Sequence, residues 1–156
     1  MDIRAENNLD GDLIKCTSLQ SSLPPPGDTT AERTRWARYK KNLTIKQVAE
    51  RAGLHEPTVS RAENGKPVEI NTLKRLSIIL EQPVWWLGCF ENLPEETLAQ
   101  RIIKCRLYHG FTKREFASVL GVHEKTVRWW ENEIVEPSSE SLTLLFPYLD
   151  YIKHSM

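Results

Sequence analysis

"LHEPTVSRAENG" occupies residues 54–65, and "VHEKTVRWWENE" occupies residues 122–133. Six of the twelve positions are identical and in register, 68 residues apart: His, Glu, Thr, Val, Glu and Asn. Each stretch follows an apolar-periodic run that stops at a glycine, "LTIKQVAERAG" to Gly53 and "FTKREFASVLG" to Gly121. Glycine ends a helix readily because it enters the left-handed region without steric cost. Two residues later a second helix begins in each copy. A repeat in register is the dominant fact about the chain.

A helix, a glycine corner and a second helix form the spacing of a helix-turn-helix. On the second helix of the first copy, Val59 and Ala62 face inward with Leu54, while Glu56, Pro57, Ser60, Arg61 and Asn64 face outward. Polar groups at i, i+1, i+4 and i+5 reach base edges in a major groove. The helix N-terminus and Lys66 suit phosphates. The outward face of the second copy is Glu124, Lys125, Arg128, Trp129 and Asn132, with Val127 and Trp130 inward. An outward Trp129 stacks on DNA or, by preference, packs against a neighbouring domain or subunit.

Working outward, "TTAERTRWARYKKN" begins with Thr29 and Glu32 in capping-box spacing, and Trp36 and Tyr39 supply apolar groups three apart. "EINTLKRLSIIL" places Ile70, Leu73, Leu76 and Leu80 on one stripe, and "PVWWLG" looks like a short closing helix. The second run opens at Asn92 and Glu95, with a helix from about 93 to 109, and Pro147 interrupts its fourth helix. No segment alternates as a strand does. The spacing predicts an all-α chain with two tandem domains of four to five helices each, over 29–90 and a divergent 91–156. Residues 1–28, ending in "SSLPPPGD", form a flexible N-terminal arm.

Net charge is zero, but residues 28–90 hold eleven basic and seven acidic groups, while 91–156 hold eight and ten. The first copy is thus the one suited to a polyanion. Cys16, Cys89 and Cys105 are scattered, without a CxxC pair or Cys/His cluster, so no metal site and no disulfide framework is expected. No apolar run reaches membrane-span length and no signal peptide opens the chain, which predicts a cytoplasmic protein. No nucleophile–base set or phosphate loop suggests catalysis, so the chain reads as a non-enzyme without cofactors.

The stretch 43–88, within a match over roughly 31–88, resembles the Cro/cI-type, or lambda-repressor-like, helix-turn-helix domain (the XRE family), including the glycine corner, the E-N-G ending and the W-L closing helix; the resemblance implies that Trp86 is core and that Trp85, where the family is usually polar, serves a dimer or interdomain contact. "GVHEKTVRWWEN…EPSSESL" is similar to the family's G-V-S-x-x-T-V-x-x-W-E…P-S-x-E-T-L. The resemblance implies an ion pair in each copy, Arg38 with Glu63 and Arg106 with Glu131, both 25 apart. Ile45 and Lys113 stand where the family usually has a phosphate-clamping glutamine; lysine keeps that ability and isoleucine does not. His55 and His123 stand where serine or threonine usually caps the recognition helix.

The DNA-contact set is accordingly His55, Glu56, Pro57, Thr58, Ser60, Arg61, Asn64 and Lys66, with Lys113, Lys125, Thr126, Arg128 and Trp129 in the second copy. Arg61 suits guanine and Glu56 accepts from cytosine. The resemblance implies a sequence-specific transcriptional regulator on a double-stranded DNA operator, a repressor of phage or mobile-element type, nucleoid-associated. In a second reading the first copy binds DNA while the second mediates a homodimer or binds an anti-repressor. In a third the chain is an antitoxin whose arm holds a toxin.

Overall fold

The computed structural model describes residues 25–154, with side chains to 150. The expected arm 1–28 therefore lies outside the described residues except for its last four. Two of those are tied down locally: Arg33 donates to Gly27 O at 3.4 Å and pairs with Asp28 at 3.2 Å.

Every regular element among the described residues is helical. In chain order they are α1 (Thr30–Lys40), α2 (Ile45–Ala52), α3 (Glu56–Glu63), α4 (Ile70–Leu80), α5 (Val84–Leu87), a 3₁₀ turn (Phe90–Asn92), α6 (Leu98–Tyr108), α7 (Lys113–Leu120), α8 (Glu124–Glu131) and α9 (Ser139–His154). No helix among the described residues is long and apolar enough to cross a membrane. Helices α6, α7 and α8 begin and end 68 residues after α1, α2 and α3, so the sequence echo is also an echo of element boundaries.

The packing divides the chain into two compact units. One runs to Val68 and includes Arg75–Gln82; the other takes Glu69–Lys74 and everything from Pro83 onward. In the first, α2 packs on α3 and α1 on α3, burying Ala37, Leu43, Val48, Ala49, Val59, Ala62, Leu76 and Leu80. In the second, α7 packs on α8, α6 on α8, and α9 on α6 and α7. Its core joins Ile102, Cys105, Phe116, Leu120, Val127, Trp130, Leu145 and Leu149. Apolar residues at helical spacing explain both cores: each helix buries a stripe that alone would face water.

Thr44 caps α2, Thr97 caps α6 and Thr112 caps α7, each in a reciprocal capping box with a Gln or Glu three residues on. The α6 start is a correction. Asn92 and Glu95 have the spacing of a cap, but Asn92 belongs to the 3₁₀ turn and Leu93 is extended ahead of Pro94. A residue before proline is pushed out of the helical region, so helix formation waits for the Thr97–Gln100 box.

Three further expectations change. Pro147 does not interrupt the fourth helix of the second copy; α9 runs through it to His154. Thr143, whose carbonyl loses its donor, is exposed like Pro147 itself, so water can satisfy it. On α1 the buried face is Arg33, Thr34, Ala37 and Arg38, not Trp36 and Tyr39. Tyr39 lies under the Arg38 guanidinium and Trp36 under the Lys40 ammonium. Of the closing helix, Leu87 rather than Trp86 is fully buried, and Trp85 stacks on Tyr108 within the second unit, centroids 5.3 Å apart.

Candidate nucleic-acid interface

The corner between α2 and α3 is built by Gly53, at φ 63° and ψ 36°. Leu54 N then donates to Ala49 O at 2.8 Å, closing the turn. At Gly121 the angles are 68° and 26°, with Val122 N to Ala117 O at 2.9 Å. The first corner has one addition that the sequence did not signal: Arg75 donates to Gly53 O at 2.9 Å. That partner lies 22 residues away, so no local pattern points to it.

Behind each second helix sits a buried ion pair. Arg38 meets Glu63 through Nε–Oε1 at 2.6 Å and Nη2–Oε2 at 2.8 Å, and its Nη1 donates to Leu43 O at 3.0 Å. Arg106 meets Glu131 at 2.5 and 3.3 Å, with Phe111 O taking Nη1 at 2.9 Å. The hydrogen bonds and charge of Glu63 raise the Arg38 pKa above the ordinary arginine value against the opposing effect of burial. The fork geometry satisfies both carboxylate oxygens, so each pair orients its second helix from within. Removing one partner leaves a buried charge, at a cost of about 3–5 kcal/mol. Arg35 adds a hydrogen bond to Glu63 O at 2.6 Å, another contact that the sequence did not signal.

The outward side chains of α3 fall where the periodicity places them. His55, Glu56, Pro57, Arg61, Asn64 and Lys66 are exposed, and Thr58 and Ser60 are half-buried. Their availability differs. No described residue bonds the side chain of Arg61 or Lys66. Asn64 is the C-cap of α3, and its amide donates to Ser60 O at 2.8 Å. Asn132 does the same to Arg128 O at 2.9 Å. A contact kept in both copies serves the helix end, which leaves less of the expected phosphate role.

The two cap histidines also part. His123 Nδ1 accepts from Lys125 N at 3.1 Å, whereas His55 makes no capping bond with its side chain. The reason is covalent: Pro57 replaces Lys125 and has no N–H to donate.

The expected cationic contacts of the second copy are engaged. Arg128 pairs with Glu124 at 3.3 Å, Lys125 lies over the Trp129 ring at 4.8 Å, and Lys113 reaches the buried Glu131 carboxylate at 3.3 Å. Lys113 thus sits at the phosphate-clamp position but is held inward. Thr126 and Trp129 are half-buried, and Ile134 stands 62% exposed where the first copy has Lys66. No group of three or more metal-binding side chains occurs among the described residues.

A glycine-cornered helix pair with a polar outward face, held from behind by a buried arginine–glutamate fork, has the geometry of a helix-turn-helix. Residues 35–85, about a third of the chain, match the family model for helix-turn-helix proteins, which supports a DNA-binding regulator in general terms. No curated protein and no solved structure matches the chain.

Proposed function

We propose that the chain is a sequence-specific transcriptional repressor that lays α3 in the major groove of an operator. The observation that carries this is Arg61: exposed on the outward face of α3, bonded to no described residue, on a helix oriented by the Arg38–Glu63 fork. Arg61 reads guanine and Glu56 accepts from cytosine. Lys66 and the Glu56 amide at the start of α3 hold phosphates. Occlusion of polymerase suffices for repression, without catalysis or cofactor, on the nucleoid in the cytoplasm.

The region 91–156 is, in the same proposal, a second and divergent helix-turn-helix domain. The matched helix bounds, corner angles and ion pairs support this. The engaged cations of α8 favour a protein-facing role for it over a second DNA reader. Random-sequence selection followed by footprinting tests the α3 assignment. Arg61→Ala is expected to weaken the selected site by about 1–3 kcal/mol relative to mismatched DNA. Equal weakening on all sequences would place Arg61 on phosphates and overturn the base-reading role.

A further inference from the structure

His55 and His123 stand on nearly identical backbone, φ −86° and ψ 144° against −80° and 145°. Their rings differ in what they are free to do. The His123 cap uses the Nδ1 lone pair, which accepts from Lys125 N. A proton on Nδ1 would occupy that lone pair, so protonation there costs the cap. Pro57 removes the matching donor from the first copy, and the exposed His55 ring is bonded to no described residue. Both of its nitrogens can carry a proton without breaking a contact, and an imidazolium donates from both.

The same proline leaves the start of α3 short of donors. Thr58 N and Val59 N both go to His55 O, at 2.9 and 3.4 Å, so Glu56 N is the amide that remains. A phosphate at this helix end meets that one amide, and His55 is the adjoining residue with donors to add. The charges around the turn are mixed. α2 brings Arg51 in its last turn, with Lys46 and Glu50 further back along that helix. From α4, Arg75 is committed to Gly53 O. From α1, Arg35 and Arg38 are committed at the far, Glu63 end of α3. On α3 itself the neighbour is Glu56. No acid among these bonds the His55 ring, so a docked phosphate supplies its first anionic partner. The positive end of a helix opposes a lone cation and attracts a phosphate, so proton and phosphate arrive together.

We propose that operator binding by α3 takes up a proton at His55, whose imidazolium donates to the phosphate held by the Glu56 amide. This rests on the reading of α3 as the DNA reader and adds to it a regulation by pH. Histidine is the side chain that changes charge between about pH 5 and 8, and a phosphate oxygen beside the ring favours the charged form. A group that binds its proton more tightly in the complex contributes fully at low pH and loses its contribution as pH rises, so affinity falls toward alkaline pH.

Affinity of the full-length chain for a selected operator, measured by fluorescence anisotropy at fixed ionic strength from about pH 5.5 to about 8, tests it. The unaltered chain is expected to bind about tenfold more tightly at the acid end. Calorimetry in two buffers of different ionisation enthalpy is expected to show proton uptake on binding. His55→Gln, which cannot titrate, is expected to flatten the profile and abolish the uptake, whereas His123→Gln keeps both. Pro57→Ala returns an N–H to residue 57, from which His55 Nδ1 can accept as His123 does, and is expected to reduce the slope. Thermal melting checks that each variant folds, and the His55 side chain has no bond to lose. A flat profile for the unaltered chain, a slope that survives His55→Gln, or one untouched by Pro57→Ala would each overturn the inference. Arg61→Ala is expected to lose sequence preference at every pH. If it does so while the unaltered profile is flat, the α3 reading stands and the His55 inference falls. If Arg61→Ala and His55→Gln both leave binding unchanged, α3 is not the reader and both fall.

Discussion

Glu133 shows how a single residue separates the copies. It has φ 57°, in the left-handed region, at the position where the first copy has Gly65 at 73°. A side chain there costs roughly 1–2 kcal/mol relative to the right-handed region, and glycine removes that cost. Glu133→Gly is therefore expected to stabilise the protein by about 1 kcal/mol in a denaturant titration, and an unchanged midpoint would contradict the strain. Glu115 gives the pH dependence. Its hydrogen bond from Lys74 at 2.7 Å, aided by Thr112, holds its carboxyl down to about 2. A depressed acid stabilises the fold above its unfolded value of about 4.3 and loses that contribution as pH falls toward its folded value. Because the carboxylate is 44% exposed, screening limits the effect to about 1 kcal/mol or less. Glu115→Gln is expected to flatten the stability profile between pH about 4 and about 2; a profile unchanged from the parent would show that Glu115 contributes nothing there.

At the scale of elements, capping decides where helices start. Thr44 Oγ1 accepts from Gln47 N at 3.1 Å, and Gln47 Oε1 accepts from Thr44 N at 2.9 Å. Thr44→Ala is expected to cost about 1 kcal/mol in unfolding free energy, with Thr44→Ser restoring most of it. Equal stability of the alanine and serine variants would remove the cap from the account. The sequence carries a local signal for this start, Thr-x-x-Gln ahead of an apolar run, although the expectation for 43–53 rested on apolar spacing and Gly53 alone. It misled at Asn92, where the same local pattern lies beside Pro94. At Pro147 the rule for proline inside a helix failed because the broken hydrogen bond falls on an exposed face.

At the scale of the whole molecule, the proposed DNA contact predicts a salt dependence. Lys66 is exposed and bonded to no described residue, as a phosphate ligand requires. Lys66→Ala is expected to weaken binding alike on all sequences and to lower the slope of log affinity against log salt by about 1. An unchanged slope would remove Lys66 from the phosphate contacts. Positive charge is concentrated in residues 28–90, so this dependence is expected to reside mainly in the first copy.

The sequence alone determined the helical class, the register of 68 and the outward face of α3, because periodicity, caps and glycine corners are local signals read within one or two turns. It also located both arginine–glutamate pairs, through the resemblance and their shared spacing of 25. Only the tertiary structure decided which polar groups remain available. Lys113 is drawn onto Glu131 and Arg75 onto the Gly53 carbonyl. A side chain's free bonding capacity depends on neighbours brought near by folding, and periodicity carries no record of them.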